Sequence, residues 1–103
     1  MASYEVRAIE LVASAPGVLV REFTFAPGEA TPWHRHSQVS DRCYGLAGEV
    51  VLERRAGAAQ PIGPGDRCDV VPGEIHRLIN RADVEARLLL VQSGGRYDFI
   101  EEA

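Results

Sequence analysis

Turn-forming residues interrupt this chain at short intervals. Pro16-Gly17, Pro27-Gly28, Gly48, Gly57, Gly63-Pro64-Gly65, Pro72-Gly73 and Gly94-Gly95 mark off short runs rich in valine, leucine and phenylalanine. Val18–Phe25 alternates between apolar and polar residues, residues 42–46 and 49–53 do so less cleanly, and residues 87–92 form an apolar run with polar ends. Short runs bounded by Gly and Pro, without sustained helical periodicity, predict strands. Many short strands at near-regular spacing predict an all-β sandwich or barrel. Residues 5–13 alone admit a helix, through Val6, Ile9 and Val12, but read equally well as a strand. The end of the chain, residues 96–103, carries Tyr97, Phe99 and Ile100 and is expected to pack against something.

At 103 residues the chain is expected to form one domain, and 46% hydrophobic residues suffice for a small core without disulfides. The net charge of −4 offers no positive field for nucleic acid or for an anionic membrane surface. No apolar run approaches the roughly 20 residues of a membrane span. The opening MASYEVRAIE does not read as a signal peptide. Cys43 and Cys68 fit neither a CxxC motif nor a disulfide framework, so a reducing, cytoplasmic setting is expected. All 11 basic residues are arginine, which excludes chemistry built on a lysine Schiff base or a P-loop lysine.

The chemically informative stretch is Pro32-Trp33-His34-Arg35-His36. Histidines at i and i+2 on a strand point to one face, which is how a metal site begins. Asp41 follows after a short bend, and His76 follows Pro72-Gly73. Three imidazoles and a carboxylate would make a mixed nitrogen and oxygen site. The plainer reading of each histidine is a hydrogen-bonded or surface imidazole.

The sequence Gly28-x5-His34-x-His36-x4-Asp41-x6-Gly48 resembles the first motif of the cupin family. Gly65-x5-Val71-Pro72-Gly73-x2-His76-x3-Asn80 resembles the second. The resemblance implies a small single-domain cupin over residues 1–103, with motifs at 28–48 and 65–80. Its fold would be the double-stranded β-helix, a jelly-roll barrel. It also implies one divalent transition metal (iron, manganese, nickel, zinc or copper) held by His34, His36, Asp41 and His76. Two positions depart from the family pattern. Asp41 stands where a glutamate is usual, and Val71 stands where a proline is usual. If β structure continues past His36, Gln38 shares its face and is an alternative fourth ligand or a pocket residue. On the same alternation Cys43 and Leu78 point into the pocket, although a free cysteine is more often a small buried hydrophobe. The motif glycines read as turn positions, Asp66 as a turn cap, and Asn80 as structural.

Three histidines and one carboxylate leave room on the ion for a small molecule. The expected function is therefore a metal-dependent conversion of a small carbonyl, hydroxyl or carboxylate compound, by a dioxygenase or by an isomerase or lyase. The alternative is a non-catalytic domain that senses or sequesters a small ligand. A homodimer is expected too. Trp33, Tyr44, Leu46 and Val50 are assigned to outward faces, and the tail around Tyr97 and Phe99 has few elements of its own chain left to cover it.

Overall fold

The computed structural model describes residues 6–103. It contains ten strands: β1 (Ala8–Ala15), β2 (Val18–Phe25), β3 (His34–Arg35), β4 (Ser40–Ala47), β5 (Val50–Arg54), β6 (Gln60–Ile62), β7 (Arg67–Val70), β8 (His76–Ile79), β9 (Ala86–Ser93) and β10 (Ile100–Glu101). They form two five-stranded sheets, ordered β1-β2-β9-β4-β7 and β10-β3-β8-β5-β6, with every pairing antiparallel. No helix occurs among the described residues, so none is long and apolar enough to cross a membrane.

Alternation decides which side chains meet between the sheets. On β9, Ala86, Leu88, Leu90 and Gln92 point inward; on β4, Asp41, Cys43 and Gly45 do. The opposite sheet contributes Val50, Leu52, Ile62 and Leu78. Phe25, Leu52 and Leu88 are fully buried. Each such side chain stabilises the fold by about 1.5–3 kcal/mol relative to exposure. At Gly45 a Cβ would collide with the backbone of Gly63, which lets the two sheets close at that corner. Gly48 has φ +62°, and a Cβ there would meet the Glu85 carbonyl oxygen at 2.5 Å.

The turn at Gly48 also accounts for one difference from the sequence reading. The sequence reading places Val50 on an outward face with Tyr44 and Leu46. However, β4 and β5 belong to different sheets, so the turn resets the alternation and Val50 becomes 2% exposed core. The segment open to either helix or strand is resolved as β1 from Ala8, paired with β2 from Ala8↔Thr24 to Ala15↔Val18 around a bulge after Leu11. The start of that segment lies outside the described residues. Asp66 Oδ2 accepts from the Gly63 N–H at 3.0 Å, as a turn cap should. Buried Asn80 donates to the carbonyls of Phe25 (3.1 Å) and Val84 (2.8 Å), tying the end of β2 to the loop before β9.

Candidate metal centre

The two sheets each contribute part of one buried cluster. His34 on β3 lies opposite His76 on β8, and His36 follows just past the end of β3. From the facing sheet comes Asp41 on β4, opposite Gln92 on β9. One ligand atom from each of His34, His36, Asp41 and His76 lies within 4.8 Å of the others, and all four residues are buried. These four could hold a metal ion.

Each imidazole is oriented by a backbone carbonyl. Nδ1–H of His34 donates to Pro32 O at 2.8 Å, that of His36 to Asp98 O at 2.6 Å, and that of His76 to Glu74 O at 2.8 Å. A carbonyl only accepts, so Nδ1 carries the proton and Nε2 is left as the lone-pair donor. Yet Asp41 Oδ2 sits 3.1 Å from His76 Nε2 and 3.3 Å from His36 Nε2. Lone pairs facing a buried carboxylate repel it unless a cation, either a proton or a metal ion, lies between them. Metal–ligand bonds of about 2.1 Å place neighbouring donors about 3.0 Å apart in an octahedron and about 3.4 Å apart in a tetrahedron, and the separations of Asp41 Oδ2 from His76 and His36 fall in that range. The donor set therefore fits a divalent transition ion, and the aspartate reaches the cluster without the extra methylene of a glutamate.

The electrostatics agree with this arrangement. Burial, reinforced by the charge of His76, lowers the pKa of His34 to about 3, so this imidazole is a neutral donor. Burial pushes His36 down as well, but the hydrogen bond and charge of Asp41 outweigh it and the net shift is upward. Burial pushes Asp41 up, yet hydrogen bonds from His36 and His76 hold it well below the usual carboxylate range.

Leu78, Phe23 and Leu90 give the adjoining cavity apolar walls. Cys43 shares the face of Asp41 but packs into the apolar core, fully buried, and does not line the cavity. Cys68 lies opposite it on β7 and is also buried. Gln38 is placed elsewhere. β3 ends at Arg35 and the chain bends at Ser37 and Gln38, so the alternation does not carry forward. Exposed Gln38 instead accepts from the Arg96 N–H at 3.0 Å.

Several contributors were not singled out in the sequence. Gln92 donates from Nε2 to Asp41 Oδ1 at 2.9 Å, and its own Oε1 accepts from Arg21 Nη2 at 2.8 Å. Phe99 stacks on His34 with ring centroids 4.2 Å apart, and Tyr97 lies 5.6 Å from the His36 ring. The signal for Gln92 and Arg21 was their phase. Gln92 continues the inward series of Leu88 and Leu90, and Arg21 falls in step with Phe23 and Phe25.

The comparisons with known proteins agree with this architecture. A family model described as Cupin domain matches residues 21–92. A double-stranded β-helix protein from Klebsiella pneumoniae superposes with a TM-score of 0.79 at 21% identity, covering 90% of this chain and 82% of its own. A protein from Thermus thermophilus gives a TM-score of 0.79 at 26% identity, covering 86% of this chain and 84% of its own. The polyketide cyclase RemF from Streptomyces resistomycificus gives 0.74 at 25% identity, covering 87% of this chain and 63% of its own. No curated protein matches the chain by sequence.

Proposed function

The chain belongs to the cupin family, and we propose that it is a metal-binding member that converts a small carbonyl, hydroxyl or carboxylate compound bound beside the ion. The observation that carries this reading is the approach of the His36 and His76 Nε2 atoms to Asp41 while the Nδ1 of each of the three histidines is held by a backbone carbonyl. A core histidine with a purely structural role has no need of that arrangement. A divalent transition ion (iron, manganese, nickel, zinc or copper) supplies Lewis-acid polarisation or dioxygen chemistry when bound.

The protein's own part is to orient and to exclude water. His34, His36 and His76 present neutral donors from a stiff β framework, and Asp41 offsets part of the ionic charge. Phe23, Leu78, Leu90 and Phe99 keep the surroundings apolar. Among the described residues Asp41 is the one carboxylate in the cavity lining, and it is committed to the cluster. A reaction that needs a separate carboxylate base finds none in that lining. This favours dioxygenase, isomerase or lyase chemistry without such a base. The same observation favours a second reading, a domain that binds a small ligand without turning it over.

Metal analysis of the purified protein, followed by oxygen-uptake and product assays with small aromatic compounds and keto acids, tests the proposal. One ion per chain is expected, lost in His34→Ala and His76→Ala proteins that keep their β-sheet circular dichroism. Full metal content in both variants would overturn the assignment. Metal binding without turnover on the panel would favour the ligand-binding reading.

A further inference from the structure

The cavity beside the cluster is about 10 Å³, space for roughly one water-sized body, so a larger ligand must extend beyond it. An adjoining bowl of about 290 Å³ shares Gln92 and Tyr97 with its lining. The side-chain charges around these two spaces lean basic. Among the described residues, Arg21 lines the inner cavity and Arg96 lines the bowl, while Asp41 is their single acidic residue. This is unexpected in a chain with 15 acidic and 11 basic side chains. With a divalent ion in place, the sum of ion, Asp41 and Arg21 is distinctly positive, and an anion is the ligand that compensates it.

Arg21 is the unusual member. It lies on β2 in the inward phase of Phe23 and Phe25, where a barrel normally places an apolar side chain. Its guanidinium lies 5.2 Å from the Phe23 ring centroid and 5.0 Å from that of Tyr97, which fixes its plane. Nη2 donates to Gln92 Oε1 at 2.8 Å, but Nε is buried and has no hydrogen-bond partner among the described residues. A buried, unsatisfied donor on a charged group is expensive, and because Arg21 lines the cavity a bound molecule there can complete it. A guanidinium edge matches a carboxylate.

We propose that Arg21 is the carboxylate-binding residue of this site. Its ligands would be small organic acids, whose carboxylate takes the Nε–H and whose apolar part lies along Val18 and Leu19 in the bowl. The proposal rests on the metal-site reading for its place in the function, while the guanidinium and its open donor do not depend on the ion.

Isothermal titration of the metal-loaded protein with isobutyrate and with isobutyramide, which share a shape and differ in charge, tests it, with ion content measured separately on each sample. The acid should bind at least about tenfold more tightly than the amide, and Arg21→Gln should remove that preference. Arg21→Lys keeps the charge and the stem but lacks Nε–H, so it should bind the acid more weakly than the parent and more tightly than Arg21→Gln. The same order should hold in protein stripped with a chelator. Equal binding of acid and amide, or parental affinity in either variant, would overturn the proposal. Absence of the ion alongside Arg21-dependent acid binding would overturn the metal reading and leave this one standing.

Discussion

Asp41 and Gln92 face one another across β4 and β9, and Gln92 Nε2 donates to Asp41 Oδ1 at 2.9 Å while Asp41 Oδ2 faces His36 and His76. The amide thus decides which carboxylate oxygen is free for the cluster, and Arg21 in turn decides which end of the amide points at Asp41. Replacing Gln92 with leucine keeps the volume and removes this support. Metal affinity should fall about 10- to 100-fold, the range expected when a hydrogen-bond partner of a ligand is lost, with the β-sheet spectrum retained. A competitive chelator titration measures it; unchanged affinity would remove Gln92 from the site.

Stability of the metal-free protein should depend on pH on both sides of neutrality. The pKa of His36 is raised in the folded state, so its contribution is present below about pH 6.5 and is lost as pH rises through the raised value. His34 is lowered to about 3, so between that value and about 6.5 the unfolded chain takes up a proton that the folded chain refuses, and stability falls as pH drops. Asp41 is also lowered; its contribution is present above its unfolded value and is lost at still lower pH. Melting temperature of the metal-free protein should therefore peak near about pH 6.5. Loading the ion should abolish the alkaline decline, because the ion replaces the His36 proton. A flat profile in the metal-free protein would contradict this account.

The C-terminal tail should control metal retention. Asp98 O accepts the Nδ1–H of His36, Asp98 Oδ1 accepts the Ser37 N–H at 2.8 Å, Arg35 pairs with Glu102 at 2.7 Å, and Phe99 covers His34. Ending the chain after Gly95 removes the acceptor that orients His36 together with the apolar cover. Ion release to a chelator should accelerate, and affinity should drop about tenfold or more. Release kinetics equal to those of the full chain would show that the tail is dispensable.

The sequence made the fold and the cluster legible to different depths. Spaced glycine and proline residues marked most strand ends, and the histidine spacing singled out the residues that come together from β3 and β8. That reading failed at breaks in strand phase: Gln38 would share the face of His36 only if the strand continued past Arg35, and Val50, placed outward, lies beyond a turn between sheets and is core. The tail was equally hard to place. Its Tyr97 and Phe99 look like surplus apolar residues in the sequence, yet β10 pairs with β3 and carries them over the cluster, a contact separated by more than 60 residues. Gln92 and Arg21 are ordinary polar residues by type. Only their inward phase distinguishes them, and that becomes visible once the facing sheet is known.

Phe99 of the tail covers its own cluster, while Tyr97 stays 37% exposed. The exposed apolar side chains gather elsewhere. Of the eight large hydrophobic residues exposed among the described residues, Ile9, Leu11, Val12 and Val18 belong to the β1–β2 hairpin, with Leu11 65% and Val12 57% exposed. Among the described residues β1 is also a sheet edge, so one side of its backbone has no strand beside it to pair its N–H and C=O groups. An apolar edge strand with few charges is suited to pairing with its own copy, and a two-fold axis lets the same residues serve both partners. We propose a homodimer formed through β1. Sedimentation at low micromolar concentration should give twice the mass of the chain, and Leu11→Lys, an exposed position away from the core, should shift the protein to monomer without lowering its metal content. A monomer mass for the parent protein would end the proposal, and a dimer that survives Leu11→Lys unweakened would move the interface away from β1.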